Sequence, residues 1–198
     1  MLNNMEIDWP TSTLAPKLFL PNTQQGGRVG PRKIQIVTTG GTIEKVYDEE
    51  EGLLTNKTPN VEEAILSKLR LPYTHVTFHP LMNKDSLNLD DNDRKRILDK
   101  VKDLAIEGHP ILIIHGTDTM TVSAELLARE LTDLKVAIAF TGAMRPLGFD
   151  DSDAMQNVTE ALMALKILSP GVYISFHNQI FCVPGVRKNK EKRTFEWV

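Results

Sequence analysis

The stretch KIQIVTTGGTIEKVY, from Lys33 to Tyr47, joins a short β-rich apolar run to a polar loop with two adjacent glycines. Four more runs of this kind follow along the chain: HVTFHP (75–80), ILIIHG (111–116), KVAIAFTG (135–142) and GVYISFHN (171–178). Their spacings suit a strand, a crossover helix and then a parallel strand. The sequence therefore predicts an α/β fold with a mostly parallel sheet and polar loops at the strand ends.

Helical patterns separate these runs. The Asp90–Asp91 pair is placed to cap a helix whose apolar residues share one face as far as Gly108. A Ser/Asp cluster at 150–153 begins a second helix, which again carries an apolar stripe. Residues 179–183 are predicted to form the return arm of a hairpin. Both helices are expected to pack on the sheet.

Composition narrows the class of protein. A chain of 198 residues with 41% apolar content can build the core of a single domain. The formal net charge of -3 provides no field that would attract nucleic acid or an anionic membrane. Cys182 is the one cysteine, and neither a signal-peptide core nor an apolar run of about 20 residues is present. We expect a soluble cytoplasmic protein without nucleic-acid or membrane partners.

The chain is predicted to divide into two parts. Residues 1–32 contain four prolines and three glycines, a composition that disfavours both helices and ladder pairing. This segment is predicted to be an extended or disordered arm, and residues 33–198 are predicted to form the folded domain.

The polar loop after the first run admits several functions. A phosphate-binding loop needs more than the adjacent Gly40 and Gly41, and the acidic segment that follows would repel phosphate. Adjacent glycines would instead let the backbone approach a small ligand while they present Thr42 as a nucleophile. The threonines of this loop could equally satisfy turn amides and do nothing more. The loop alone leaves the last two interpretations open.

A second polar motif, HGTDTM at 115–120, follows the run ILII. Gly116 permits a tight turn, and Thr117 beside Asp118 offers a hydroxyl and a carboxylate in one cleft. The acid could bind an ammonium while hydroxyls and amides bind a carboxylate or an oxyanion. Such a pair suits a small zwitterion, although the same residues could also cap a helix over 120–129.

Three motifs in this order, TGGTI (39–43), HGTDTM (115–120) and GAMRP (142–146), resemble those of the bacterial-type L-asparaginases and the related glutaminase-asparaginases. The resemblance runs from about Lys33 to the end of the chain and covers what looks like the larger N-terminal domain of that family. It implies a three-layer α/β domain with helices on both faces of the sheet. It also implies hydrolysis of the side-chain amide of asparagine, and less often of glutamine, without a cofactor.

Carried over residue by residue, the resemblance implies catalytic roles for four side chains. Thr42 matches the nucleophile, and Thr117 with Asp118 matches the second catalytic threonine and the acid that also holds the substrate α-ammonium. The lysine partner of that threonine matches Lys188 in GVRKN. Basic neighbours would lower the pKa of Lys188 and help it to act as a base. Without the resemblance, this basic segment could be a solvated surface or a tail that contacts a polyanion.

The residues implied for substrate binding depart from the family pattern. NKDSLN stands where the family has Ser-Gln-Asp or Ser-Ser-Asp, so Lys84, Asp85 and Ser86 are assigned to the amino-acid head group. Lys84 could supply a charge-assisted contact to the α-carboxylate. Gly41 and Gly116 would bring backbone amides close to the substrate. This departure leaves the preference for asparagine over glutamine open.

Two further assignments also rest on the resemblance. Met144 and Arg145 of GAMRP match a framework loop near the site. A phenol on a mobile lid assists the nucleophile in the family, and Tyr47 is the tyrosine of the acidic lid region here. Tyr47 is therefore assigned that role, although it stands closer to TGGTI than the family's phenol, and an exposed lid aromatic is the alternative.

The chain ends at Val198, so on the resemblance it corresponds to a short form without the family's second domain. In full-length members a neighbouring subunit's second domain closes each site. The short form must close its cleft with a dimer partner or keep a more open pocket, so we expect weak substrate affinity and a homodimer or higher homo-oligomer. Neighbouring ligands for His75 and His79 are lacking, so no metal site is predicted.

Two alternatives to a free asparaginase remain. One is the asparaginase-like subunit of a transfer-RNA amidotransferase, which releases ammonia to a partner. The other is a module that binds a free amino acid without turnover.

Overall fold

The computed structural model describes residues 32–56 and 61–198. The arm predicted at 1–32 lies outside the described residues, with one exception. Arg32 already belongs to the first strand, where it pairs with Thr74 of a neighbouring strand.

The described residues form ten strands and four α-helices. The strands are β1 (Arg32–Gly40), β2 (Lys45–Asp48), β3 (Leu53–Asn56), β4 (Thr74–Lys84), β5 (Ile111–Ile114), β6 (Ala137–Thr141), β7 (Gly171–Phe176), β8 (Gln179–Cys182), β9 (Val186–Asn189) and β10 (Thr194–Trp197). The helices are α1 (Val61–Leu66), α2 (Asp91–Ile106), α3 (Met120–Glu130) and α4 (Ala154–Ala164). Among the described helices, none combines the length and apolar character that a bilayer crossing requires.

A six-stranded sheet in the order β4-β1-β5-β6-β7-β8 forms the centre of the domain. The pairs among its first five strands are parallel, and β8 returns antiparallel to β7. Two small antiparallel hairpins, β2-β3 and β9-β10, stand apart from this sheet. The structure confirms the predicted α/β fold with a mostly parallel sheet.

The sheet is buried on both faces. One core packs residues of α1 and α4 against one face, and a second core packs α2 and α3 against the other. Strand β5 is apolar at each position because both of its faces are covered, and its four residues have no exposed surface. Burying an isoleucine side chain contributes about 1.5–3 kcal/mol, so this strand anchors both layers. The three-layer arrangement that the resemblance implied is present.

Helix α2 begins with a reciprocal cap. The Asp90 side chain accepts a hydrogen bond from the Asp93 amide at 2.8 Å, and the Asp93 side chain accepts one from the Asp90 amide at 3.2 Å. The predicted helix start is thus confirmed. The predicted hairpin return is also confirmed, since His177 and Asn178 form a tight turn with positive φ angles of 47° and 62° between β7 and β8.

The last strands were not predicted. The sequence indicated a basic and then aromatic ending, whereas residues 186–197 form the β9-β10 hairpin. Phe195 is buried and its ring lies 5.0 Å from that of Phe176, while the ring of Trp197 lies 5.2 Å from that of Phe181. These contacts fix the hairpin to β7 and β8.

The strand order creates a crevice at the carboxyl ends of the neighbouring strands β1 and β5. The chain leaves β1 toward β4 on one side, and it leaves the adjacent β5 toward β6 on the other. In open parallel sheets, ligands bind at the carboxyl ends of such strands, because loops and free amides meet there. The first two sequence motifs follow β1 and β5, so the topology brings them together.

Candidate active site

The loop after β1 presents Thr42 on a short turn. Gly40 and Gly41 have φ angles of 96° and 90°, which side chains other than glycine rarely adopt. Thr42 then begins a 3-10 turn that ends at Glu44, and it is partly exposed. The glycines therefore turn the chain so that the threonine follows directly at the crevice.

This loop touches the second motif backbone to backbone. A Cβ on Gly41 would lie 2.4 Å from the Gly116 Cα atom, and a Cβ on Gly116 would lie 2.6 Å from the Ser86 Oγ atom. Side chains at either glycine would push the loops apart. The Thr119 hydroxyl also donates to the Ser86 carbonyl at 2.8 Å. The structure thus brings the three segments that carry Thr42, Ser86 and Thr117 into contact.

Lys188 completes a polar cluster with the second motif. Its Nζ atom lies 2.7 Å from Thr117 Oγ1 and 2.9 Å from Asp118 Oδ1. Thr117 is buried, whereas the side chains of Lys188 and Asp118 are 17% and 32% exposed. A cation, a hydroxyl and a carboxylate therefore meet at the edge of the crevice, so they can bind a polar substrate and move a proton.

The helix-cap alternative for this motif does not describe these residues. Helix α3 begins at Met120, and its N-cap, Thr119, makes no side-chain capping hydrogen bond. Asp118 turns to Lys188 instead.

The basic neighbours of Lys188 point elsewhere. Arg187 and Lys192 both bind Glu196, with Arg187 at 2.9 Å and Lys192 at 3.1 Å. In a strand, successive side chains alternate between faces, so Arg187 lies on the face opposite Lys188. The charged group bonded to Lys188 in the described structure is the carboxylate of Asp118, whereas Arg187 and Lys192 are paired with Glu196.

A second ion pair joins the β2-β3 hairpin to the loop at 84–88. We call this loop the substrate loop, because the resemblance assigned Lys84, Asp85 and Ser86 to substrate binding. Lys45, the first residue of β2, donates to Asp85 Oδ2 at 2.6 Å, while the other carboxylate oxygen accepts from the Leu87 amide at 3.0 Å. Burial raises the pKa of Asp85, but these hydrogen bonds outweigh it and hold that pKa below its ordinary value. Asp85 is therefore ionised at neutral pH and already paired with the hairpin.

Lys84 lies outside this cluster. Its Nζ atom binds Asp93 at 2.7 Å, and Asp93 belongs to the cap of α2. Asp93 is 3% exposed and caps α2, so its pair with Lys84 stabilises the start of that helix. The structure does not bring the Lys84 ammonium to Thr42 or Thr117.

Tyr47 is also remote from the turn that begins at Thr42. Its side chain lies on β2 and is 61% exposed. A Cβ on Gly52 would meet its hydroxyl at 4.0 Å, which places the phenol near the outer turn of the β2-β3 hairpin. Contact with Thr42, at the base of the same hairpin, would require the hairpin to rearrange.

An open cleft of about 610 Å³ lies between this hairpin and the substrate loop. Lys45 and Asn56 line it from the hairpin, and Asn83, Lys84, Asp85 and Asn88 line it from the other side. Asn56 also donates to the Asn83 side chain at 3.0 Å, so polar contacts hold the hairpin at its base. The cleft offers mainly amide and charged groups, which suits a polar ligand.

The described residues contain no cluster of three or more His, Cys, Asp or Glu that could hold a metal ion. His79 binds the Gln35 side chain at 2.7 Å, while His75 is exposed.

The comparison with protein families agrees with this geometry. The sequence model of the family described as "Asparaginase, N-terminal" matches residues 33–196, from the first strand to the end of the last hairpin. The chain belongs to the asparaginase family.

Relatives with different names share this asparaginase domain. A glutamyl-tRNA(Gln) amidotransferase subunit of Thermoplasma acidophilum is 32% identical over 136 residues, which cover 67% of this chain and 32% of that protein. The L-asparaginase of Thermococcus kodakarensis is 26% identical over 158 residues, 80% of this chain and 47% of that protein. The chain thus spans about a third to a half of the length of these curated relatives.

A solved structure confirms the fold of the asparaginase domain. The thermostable L-asparaginase from Thermococcus kodakarensis superposes with a TM-score of 0.74 at 25% sequence identity. The match covers 84% of this chain and 51% of that one. Both the predicted resemblance and the predicted fold class are confirmed.

Asp153 holds the loop that carries the third motif, GAMRP, although the sequence did not single it out for that role. Its carboxylate accepts hydrogen bonds at 3.0 Å from the amides of Met144 and Arg145, and it lies 2.9 Å from His177 Nε2. Burial raises the pKa of Asp153, but these donors hold it below the ordinary value. The Asp153 carboxylate therefore fixes the backbone of the GAMRP loop just before α4.

His115, the first residue of the second motif, is fully buried beneath it. Its Nδ1 atom lies 2.8 Å from the Gly116 carbonyl, and its Nε2 atom lies 2.9 Å from the Ser123 hydroxyl. Burial lowers the pKa of His115 to about 4. Because a carbonyl only accepts, Nδ1 carries the proton and the neutral ring holds the turn before Thr117.

Proposed function

We propose that the protein is an amidohydrolase that converts the side-chain amide of L-asparagine to L-aspartate and ammonia. The observation that carries this proposal is the contact of Lys188 Nζ with both Thr117 Oγ1 and Asp118 Oδ1, at 2.7 and 2.9 Å, beside the loop that presents Thr42. The resemblance assigned these four residues to one site, although they lie up to 146 positions apart in the sequence.

Thr42 serves as the nucleophile in this proposal. Its hydroxyl oxygen attacks the side-chain carbonyl carbon, and its proton passes to the leaving nitrogen, so that ammonia departs and an aspartyl ester of Thr42 remains. Water then hydrolyses the ester and restores the threonine. Thr117 and Lys188 accept and return protons or position the water.

Backbone amides stabilise the oxyanion in each step. The Gly41 amide already donates to the Lys84 carbonyl at 2.9 Å, so it is not available. The amides of Thr42 and Ile43 open the 3-10 turn and have no acceptor within it. These amides, or those of Gly116 and Thr117, are the proposed donors.

Asp118, Asp85 and Ser86 bind the amino-acid head group. The Ser86 hydroxyl is buried without a hydrogen-bond partner among the described residues, which supports a role toward a ligand. Asp85 is shared with Lys45, so a substrate ammonium must compete with that lysine. Since Asp85 and Asp118 also keep contact with water, we propose weak substrate affinity, with a Michaelis constant above the low micromolar range.

An ammonia-releasing amidotransferase subunit is the second candidate. It is supported by the 32% identity to the Thermoplasma amidotransferase subunit, which exceeds the 26% identity to the Thermococcus L-asparaginase. Under this alternative, the chain would release ammonia in the presence of a partner protein and would favour glutamine.

Ammonia release and calorimetry on the purified protein separate these functions. We expect ammonia from asparagine at a higher kcat/KM than from glutamine. A preference for glutamine would favour the amidotransferase function. If asparagine binds with measurable heat but no ammonia is released, the hydrolase function is excluded, and a module that binds the amino acid remains.

A further inference from the structure

A smaller cavity beside the nucleophile turn remains outside the mechanism. Its volume is about 220 Å³, and it is distinct from the cleft beside the lid hairpin. Its walls are mainly apolar, with one carboxyl among them: Ile43, Val46, Val61, Ala64, Leu147 and Glu44. The Leu147 amide donates to the Ile43 carbonyl at 3.2 Å, which ties the far wall to the turn.

Glu44 is an anomaly in this apolar setting. It is 5% exposed, and although the Gly40 backbone amide lies nearby, neither of its carboxyl oxygens has a hydrogen-bond partner of ordinary geometry in the described part of the chain. Burial raises the pKa of Glu44 to about 7, against the opposing effect of the Gly40 backbone amide. Buried polar groups in folded proteins are nearly always hydrogen-bonded, so an unpaired carboxyl facing a cavity indicates a missing partner.

The described cations around the cavity do not supply that partner. Lys45 lines the cavity, but its ammonium binds Asp85 at 2.6 Å. Lys68 also lines it and is exposed to solvent. Among the residues that the structure describes, these two lysines are the other charged groups on the cavity wall, and neither is hydrogen-bonded to Glu44.

We propose that this cavity binds a small organic amine, with its ammonium on the Glu44 carboxylate and its hydrocarbon part against the apolar walls. A buried carboxylate forms its strongest hydrogen bonds with a cationic donor. An apolar cavity of about 150 Å³ holds a benzene ring, so the larger volume here accommodates a ring or branched chain that carries one amino group.

The cavity is a separate site from the proposed active site, because none of Thr42, Thr117 and Lys188 lines it. The amine enters as the ammonium ion, and Glu44 must lose its proton to pair with it. Binding below pH 7 therefore releases a proton to the buffer, whereas binding above pH 7 does not. The bound amine would contact the same three-residue turn that carries Thr42.

Calorimetry with cyclohexylamine and cyclohexanol tests the proposal. At pH 8 we expect the amine to bind wild-type protein about tenfold more tightly than the alcohol of the same shape. At pH 6 the amine should bind about tenfold more weakly than at pH 8, and buffers of different ionisation heat should reveal the released proton. In Glu44→Gln the amine should lose its advantage over the alcohol.

A second variant covers the case in which Glu44→Gln does not fold. Ala64→Leu fills the cavity from α1 and leaves the carboxyl in place, so it should abolish binding of both probes. The proposal is overturned if wild-type protein at pH 8 binds no cyclohexylamine in the millimolar range. It is equally overturned if either folded variant binds the amine as wild type does. Ammonia release from asparagine, measured in parallel, reports on the hydrolase separately.

Discussion

Lys188 is the residue that joins the last hairpin to the second motif. It bonds to Thr117 and Asp118, whereas Arg187, its neighbour on the opposite face, bonds to Glu196 at the surface. The two residues carry the same charge one position apart, yet only Lys188 touches the candidate site. They form a matched pair for separating catalysis from the general charge of the hairpin.

Lys188→Met should lower kcat for asparagine about 100-fold or more, because proton transfer by a positioned group contributes about that much. Steady-state ammonia release measures the effect. Arg187→Met is the control and should stay within about twofold of wild type, since surface ion pairs contribute little. Equal losses in both variants would mean that the hairpin's charge matters and the Thr117 contact does not.

The β2-β3 hairpin is held to the substrate loop by the Lys45–Asp85 pair, at 2.6 Å. Asp85 has a pKa below its ordinary value, so the pair is formed at neutral pH and is lost only as acid protonates the carboxylate below that value. The pair lies at the base of the hairpin, where it restrains the exposed turn at 49–52.

Lys45→Met should release this hairpin, and limited proteolysis at 49–52 should become several-fold faster at neutral pH. The control is Lys95→Met, which removes a pair of the same 2.6 Å length from the exposed surface of α2. Its digestion pattern should match that of wild type. Unchanged cleavage in Lys45→Met would show that the pair does not restrain the hairpin.

Elements with strong local signals could be predicted from the sequence. The run ILII predicts β5 because both faces of the strand are buried, and Asp90 predicts the start of α2 because its side chain caps the helix. The β9-β10 hairpin could not be predicted in this way. Its strands have only four residues each, and the contact of Phe195 with Phe176 that stabilises them depends on the folded chain and not on the local sequence.

The site was predictable only in part for the same reason. Thr42, Thr117, Asp118 and Lys188 were identified through motifs, and the structure brings the last three together. The partner of Lys84 could not be predicted from the sequence, because the fold decides which carboxylate lies near its ammonium. In the structure that carboxylate is Asp93 at the start of α2. The burial of Glu44 was equally unpredictable, since it depends on cavity walls from α1 and from the loop at 147.

At the scale of the whole molecule, Glu44 links stability to pH. Its folded pKa of about 7 exceeds the ordinary value of 4.5, so the folded state binds the proton more tightly than the unfolded state. The resulting stabilisation is fully present below pH 4.5 and is lost as pH rises toward 7. This pKa difference corresponds to about 3 kcal/mol at most in the free energy of unfolding.

Urea denaturation of wild type and Glu44→Gln at pH 4.5 and pH 8 tests this linkage. The variant should gain about 2 to 3 kcal/mol relative to wild type between these two pH values, because the amide never has to ionise in the apolar cavity. Glu51→Gln changes an exposed residue of the hairpin turn and is the control, with no such relative gain. A constant difference between Glu44→Gln and wild type would contradict the linkage.

The central claim is that Thr42 attacks the amide, and ammonia release by Thr42→Ala tests it most directly. Thr159→Ala is the matched control, because it removes an exposed hydroxyl that bonds to the Met155 carbonyl on α4. With asparagine as substrate, we predict that Thr42→Ala retains less than about a thousandth of the wild-type rate, while Thr159→Ala keeps it. A Thr42→Ala protein that stays folded and releases ammonia within about tenfold of wild type would contradict the account.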